Sequence, residues 1–352
     1  MRLSDFDYHL PPELIAQKPL PDRAASRMLV IHRGEKRWED RAFRELPQFL
    51  GAGDCLVLND SKVFPSRLYG HRAGVHALPV GKGNPKRREN LSGSVEVLLL
   101  RPVSADGREW EALVRPGRKM RTGERVRFDG ALEAEITARG EFGERTLRFL
   151  TDADVYAALE QIGHVPLPPY IKRRDTPEDR ERYQTVFAHE KGSVAAPTAG
   201  LHFTAEMLDA CRAAGADTAY VTLHVGLGTF QPLHTERIED AHVHAERYRI
   251  TEENAARMNA ARRLVAVGTT SVRTIESARR SRAFAGETDL FIYPGFRFER
   301  TGALLTNFHL PRTSLLLLIC AFGGAELVLD AYRHAVEKKY RFYSYGDCML
   351  IL

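Results

Sequence analysis

Leu264-Val265-Ala266-Val267-Gly268-Thr269-Thr270-Ser271-Val272-Arg273-Thr274 passes from four apolar residues, through one glycine, into a run with helical spacing. A short apolar run without alternation reads as a strand covered on both faces, and a strand feeding a helix through a glycine turn is the unit of a parallel sheet. Such a turn lies at the carboxyl end of its strand, where open α/β sheets bind ligands and helix amides favour anions. Thr270 or Ser271 can serve simply as the helix N-cap, which is the commoner role. Arg273 needs another explanation, because a cation in the first turn opposes the helix dipole, and an anionic ligand group supplies one. Gly268, Thr269, Thr270, Ser271 and Arg273 are therefore binding candidates.

The same alternation continues outward. A helix is expected from Thr204 to Ala214, stopped by Gly215 before the strand-like AYVTLHV at 219–225. Thr251-Glu252-Glu253 opens another, and SVRTIESARRSR at 271–282 is followed by the apolar DLFIY at 289–293, read as a strand. Thr176-Pro177-Glu178-Asp179 has cap, first-turn proline and early acids in order, with Tyr183, Val186 and Phe187 on one face. Near the N-terminus CLVLND at 55–60 reads as a buried strand of the same sheet. Between Arg67 and Asp154 the texture changes to short alternating strands, SVEVLLL, EWEALV, RVRF, ALEAEITARG and RTLRFL, separated by turn residues. The expected architecture is an α/β domain with a largely parallel sheet over 1–66 and 155–352, interrupted by an inserted antiparallel β-barrel domain at 67–154.

Bulk properties agree. A chain of 352 residues has room for two cores, and 43% hydrophobic with 28% charged residues describes an ordinary globular protein. The net charge of +5 and pI near 9.0 suit a polyanionic partner such as RNA, or simply solvated basic faces. Cys55, Cys211, Cys320 and Cys348 are too scattered for a zinc ribbon or a disulfide framework, which points to reduced thiols and a cytoplasmic location. The first residues lack an export signal's apolar core, Leu315–Phe322 is too short to cross a bilayer, and without a self-association pattern a monomer is the default. His76–Asn90, rich in Gly, Pro and Lys/Arg, reads as a basic surface loop.

Several segments carry chemistry. In GSVAAPTAGLHF, 192–203, Pro197 and Gly200 forbid a continuous element while small residues permit close approach, so the stretch reads as a binding wall with Thr198, Gly200, His202 and Phe203 as its candidates, or else as a packed loop. HVGLGTFQP, 224–232, has a GxG without a following helix, so it is no dinucleotide fingerprint; His224, Thr229 and Phe230 are read as ligand-facing, with a core-facing Phe230 as the alternative. In HVHAERY a strand would put His242, His244, Glu246 and Tyr248 on one face. No closing ligand pattern is present, so an acid/base face or a solvent face is expected rather than a metal site. Tyr293 in YPGF and Asn307 and His309 in TNFHLP add polar and aromatic groups to the same sheet end, as does Asp60.

Taken together, SKVFPSRLYG (61–70), GSVAAPTAGLHF, VTLHVGLGTFQP, HVHAERY, VGTTSVRT, FIYPGF, LLTNFHLP and RFYSYGDCMLI (341–351) resemble the S-adenosylmethionine:tRNA ribosyltransferase-isomerases of queuosine biosynthesis. Eight motifs in order, across almost the whole chain, make the resemblance specific. It implies transfer of the ribosyl part of S-adenosylmethionine to 7-aminomethyl-7-deazaguanine at the wobble position of a tRNA. Rearrangement to an epoxycyclopentane then gives epoxyqueuosine, with adenine and methionine released. The sulfonium acidifies the neighbouring ribose proton, so the site needs a base, and departing adenine needs a proton or hydrogen bonds. His202, His244, Glu246 and His309 are the catalytic candidates, with His224 a further acid/base group. Phe203, Phe230 and Tyr293 are stacking groups, and Arg67 and Arg273 are anion-holding ones. A longer and more basic 76–90 departs from the family pattern and bears on tRNA contact, not on the chemistry. An S-adenosylmethionine-dependent RNA methyltransferase is disfavoured because the first strand-to-helix turn has no glycine cluster, and a noncatalytic RNA-binding protein because titratable groups recur at one sheet edge.

Overall fold

The computed structural model describes residues 1–73, 93–140, 143–226, 233 and 235–352; the basic stretch at 76–90, and the candidates Thr229 and Phe230, lie outside them. The chain forms two compact units. Met1–Lys62, Leu167–Arg174 and Glu181–Leu352 make one, and Val63–Pro166 with Asp175–Arg180 make the other.

The strands of the first unit are β1 (Arg27–His32), β2 (Arg37–Ala42) and β3 (Asp54–Asn59), followed by a short β4 (Ser61–Val63). The second unit contributes β5 (Arg67–Arg72), β6 (Ser94–Pro102), β7 (Glu109–Arg115), β8 (Arg125–Phe128), β9 (Glu133–Arg139) and β10 (Glu144–Phe149). The chain then adds β11 (Glu190–Ser193), β12 (Asp217–Leu223), β13 (Glu246–Arg249), β14 (Arg263–Val267), β15 (Ala285–Thr288), β16 (Thr301–Asn307) and β17 (Cys348–Ile351). Strands β5 to β10 close into an antiparallel barrel ordered β10-β7-β6-β5-β8-β9. Alternation explains the closure: Val95, Val97, Leu99, Trp110, Ala112, Val114, Ile136 and Leu147 are buried, while Glu96, Glu111, Arg115, Glu135 and Arg148 at intervening positions are not. Helix α1 (Val155–Ile162) belongs with the barrel, beyond the expected limit at 154, because Tyr156 packs edge-on against Trp110 and Phe64 at ring distances of 5.2 and 6.0 Å.

The other unit is built on a nine-stranded sheet ordered β15-β13-β12-β3-β14-β16-β17-β1-β2. It is parallel at its centre, from β12 through β16, and mixed toward both flanks, where β13, β15, β17 and β2 introduce antiparallel pairings. Central strands are covered on both sides. Cys55, Val57, Leu264, Ala266 and Leu304 enter one core, and Leu56, Leu58, Val265, Val267, Ala303 and Leu305 the other. Edge strand β2, RWEDRA, is charged and exposed, which discourages pairing with other chains.

Helices α2 (Ala205–Ala213), α3 (Glu252–Ala260) and α5 (Ser314–Gly323) start at Thr204, Thr251 and Thr313, whose hydroxyls accept the amides of Met207, Asn254 and Leu316. Between the last two lies α4 (Thr269–Ser281), and α6 (Ala325–Glu337) follows α5 through Gly324 at φ +88°. Two expected elements differ. The helix predicted after Thr176 is a single turn, Asp179–Arg182, and Val186 is 49% exposed. DLFIY is irregular; the strand forms just before it as β15, and the Leu290 carbonyl instead accepts a bond from Arg273. All four cysteines are buried thiols, and burial pushes Cys55 and Cys320 up to about 12. Among the described residues no single helix is long and apolar enough to cross a membrane.

Candidate active site

The four central parallel strands, ordered β12-β3-β14-β16, bring Leu223, Asn59, Val267 and Asn307 to one carboxyl edge. The chain goes from β3 to one side, then to the other, so the topological switch point lies between β3 and β14, where such sheets bind ligands. Asn59 spans it. Its amide nitrogen donates to the Leu223 carbonyl at 3.0 Å and to Thr270 Oγ1 at 3.2 Å, while its oxygen accepts from the Leu223 and Ser61 amides. Beside it, Asp60 takes a hydrogen bond from Thr222 Oγ1 at 2.7 Å, and burial raises its pKa above the ordinary carboxylate value.

His224 continues β12 at the same edge. Burial depresses its pKa, and its Nδ1 is enclosed without a hydrogen-bond partner among the described residues. Gly192 abuts the ring: a Cβ there would stand 3.0 Å from His224 Cε1 and Nδ1, and its φ of +135° suits glycine alone. From this point Gly192–Phe203 is laced across the strand ends. Ser193 Oγ donates to the Ala195 carbonyl at 2.8 Å and accepts the Val225 amide at 2.9 Å, and Thr198–His202 forms a 3₁₀ turn. A Cβ on Gly200 would lie 2.8 Å from Phe187 and from Thr185, and one on Gly268 would meet Ala199 at 3.5 Å. Between Ser193 and Phe203 only Thr198 escapes full burial.

Helix α4 starts at this edge with Gly268 as its N-cap residue, at φ +89°, and among the described residues no side chain caps it. Neither Thr270 nor Ser271 plays that part. They sit two and three residues past the cap, so Ser271 Oγ bonds back to the Val267 carbonyl and Thr270 Oγ1 accepts from Asn59. Arg273 has a different partner from the anion expected of it. Its guanidinium pairs with Glu246 and donates to the Thr288 and Leu290 carbonyls at 3.0 and 3.2 Å. The other Glu246 oxygen accepts the Gly226 amide at 2.8 Å. The pair, with side chains 11% and 5% exposed, thereby ties β13, α4, the segment after β15 and the segment after β12. It lines a narrow pocket with His244, Phe291, Leu315 and Leu318.

The four-residue face read in HVHAERY is only half formed. Glu246 and Tyr248 point inward from β13, whereas His242 and His244 precede the strand and are exposed.

His202 and His309 are interior groups. The His202 ring nitrogen Nδ1 lies 2.8 Å from Ser26 Oγ, the Asn307 amide faces the ring, and burial lowers its pKa to about 4. His309 sits 3.0 Å from Thr306 Oγ1, receives the Tyr8 hydroxyl on its carbonyl, and is lowered to about 3 by burial. Asn307 donates to the Tyr343 carbonyl at 2.9 Å. Phe203 is a core residue at 0% exposure, packed edge-on to Phe43, so it offers no stacking face. Tyr293 is half-buried against Phe291. Arg67 belongs to the barrel unit, where it pairs with Glu96 at 3.1 Å. The edge thus gathers Asp60, His224, Thr198 and the start of α4. Asn59, Ser193 and Ser26 escaped the sequence reading, although a polar residue ending the buried strand CLVLN was a usable sign of Asn59.

Comparison with known proteins shows what the chain as a whole is similar to. The family model described as queuosine biosynthesis protein matches residues 3–351. An S-adenosylmethionine:tRNA ribosyltransferase-isomerase of Solibacter usitatus is 72% identical over 352 residues, covering all of both chains. The similarly named protein of Thermotoga maritima is 46% identical over 359 residues, again covering all of both. The crystal structure of a Thermotoga maritima S-adenosylmethionine tRNA ribosyltransferase superposes with TM-score 0.54 at 38% identity, over 99% of this chain and 100% of that one.

Proposed function

Because the chain belongs to the queuosine biosynthesis protein family, we propose that it transfers and isomerises the ribosyl moiety of S-adenosylmethionine onto 7-aminomethyl-7-deazaguanine in tRNA, releasing adenine and methionine. The observation that carries this reading is the family match over residues 3–351, joined to a site edge that concentrates polar groups at a topological switch point. S-adenosylmethionine is the ribosyl-donating co-substrate and tRNA the acceptor. A cytoplasmic RNA-binding enzyme is the setting these substrates require.

The chemistry divides among residues as their environments dictate. A base for the ribose proton next to the sulfonium must be unprotonated yet near its pKa. Asp60, raised by burial and steadied on one oxygen by Thr222, meets that need. His224, on the neighbouring strand and with burial favouring its neutral ring, is placed to exchange a proton with the departing adenine. The uncapped amides at the start of α4, next to Thr198, favour the carboxylate of the methionine portion. His202 and His309 support the shape of the edge from inside, and Glu246 with Arg273 fixes its framework. The wall at 192–203 excludes water from the reactive intermediates.

The test incubates purified protein with labelled S-adenosylmethionine and tRNA carrying the aminomethyl deazaguanine. Free adenine and methionine are the expected products; S-adenosylhomocysteine alone would refute the reading. Asp60→Asn and His224→Gln each should cut turnover by about 100-fold or more, the usual scale of acid–base catalysis.

A further inference from the structure

At the opposite end of α4 from the candidate active site, about 20 Å away along 13 helical residues, the fold forms a second cleft. Its volume is about 260 Å³, and Ile250, Met258, Leu264, Ile275 and Ala278 form an apolar floor. Three arginines, Arg279, Arg282 and Arg300, reach its lining, and among the described residues no carboxylate does. Phe284 stands at its rim, 49% exposed, as one of the few large apolar side chains left open to solvent.

A few cations near a helix C-terminus are ordinary complements to the dipole. What exceeds that need is their number and state. Arg279 and Arg280 already fill the last turn, and Arg280 is occupied over the Phe296 ring at 4.3 Å. Arg282 follows in a left-handed conformation at φ +56°, held there with no ion pair among the described residues. Arg279 pairs with Glu299 at 3.3 Å, but both side chains remain exposed at 59% and 40%, so the guanidinium is free to engage a second anion.

We propose that this cleft is an RNA-binding subsite, in which an unpaired base lies on the apolar floor against Phe284 while its phosphates rest on Arg279 and Arg282. The combination of an aromatic side chain, an apolar slot of single-group size and an unbalanced positive rim is the one that single-stranded nucleic acid selects. The inference rests on the reading that RNA is the substrate, and it assigns a contact remote from the reacting base.

Two variants test it by fluorescence anisotropy of labelled tRNA titrated with protein at several salt concentrations. Arg282→Gly removes the cation at a position whose backbone suits glycine, and Phe284→Ala removes the exposed ring; neither touches a core, so both should fold. Arg282→Gly should lower the slope of log affinity against log salt by about 0.7 for the one lost phosphate contact. Phe284→Ala should weaken binding about fivefold or more, the scale of one lost stacking contact. Adenine release at saturating tRNA and the KM for S-adenosylmethionine should match wild type in both. Wild-type affinity and slope in both variants overturn the subsite while leaving the enzyme reading intact, and weakening by Phe284→Ala with an unchanged slope in Arg282→Gly overturns it too. If the wild-type protein fails to bind tRNA at all, the enzyme reading itself falls.

Discussion

Replacing Glu246 by Gln removes one charge from a pair whose side chains are 11% and 5% exposed and leaves the Arg273 guanidinium buried without its counterion. Breaking a buried pair from one side costs about 3–5 kcal/mol. The Thr288 and Leu290 carbonyls continue to accept from Arg273, which keeps the guanidinium partly solvated and places the expected loss near the lower end, about 3 kcal/mol. Urea unfolding reads this as a fall in midpoint of about 1 M or more at ordinary slopes. Arg273→Met should cost a similar amount, and the double variant Glu246→Gln/Arg273→Met should cost clearly less than the sum, because neither charge then stands alone. Gln keeps an oxygen for the Gly226 amide, so hydrogen exchange at Gly226 should stay slow in Glu246→Gln and speed up in Glu246→Ala. Single losses below about 1 kcal/mol that add within about 0.5 kcal/mol would refute the clamp and return Arg273 to the role of a free anion-binding cation.

Acid should destabilise the protein through its interior histidines. Their folded pKa values, about 4 for His202 and about 3 for His309, lie below the ordinary histidine value of 6.5, so the unfolded chain binds more protons in that window. Stability is therefore full above pH 6.5 and falls as pH drops toward 4, by about 3 kcal/mol for His202 alone. Thermal midpoints of wild type and His202→Asn from pH 7 to 4 should converge as pH falls; a constant gap would show that His202 does not titrate there. Gly200→Ala forces a methyl to within 2.8 Å of Phe187 and Thr185 and should cost about 1–3 kcal/mol, whereas unchanged stability would mean the wall is loosely seated. Asn59→Ala leaves the Leu223 amide and carbonyl unpaired at the switch point and should cost roughly 2 kcal/mol while raising the KM for S-adenosylmethionine; an unaltered KM would remove the residue from the site's support.

The strands were legible where burial is two-sided. CLVLN and LVAV need no alternation to be read, since either face of such a strand meets a core. The barrel was legible for the opposite reason, its strands alternating cleanly around one interior. Flank geometry was harder. Strands β13 and β15 are four residues each, short enough for tertiary contacts to decide their limits, and Arg273 claims the carbonyl of Leu290 in the segment that looked more strand-like. At the candidate site, the motifs mark loops that meet at one sheet edge but do not tell which way each side chain turns. His202 and Phe203 are consecutive residues that both turn inward, and no local pattern distinguishes them from a ligand-facing pair. Arg273 is expected from its first-turn position to hold an anionic ligand group, but the partner in the structure is Glu246, supplied by an antiparallel strand 27 residues earlier, which no local pattern announces.

Strand β17 lies between β16 and β1, so the hairpin of residues 27–42 is joined to the rest of the sheet through Cys348–Ile351. During synthesis that hairpin is made long before residues 348–351, so the backbone edge of Met28 to Ile31 stays without its β17 partner until they follow. The sheet is thus completed late relative to its first hairpin. A change that breaks β17 alone, such as Leu350→Pro, would therefore cost more than that strand's own packing, because it also unseats the hairpin of residues 27–42 from its link to β16.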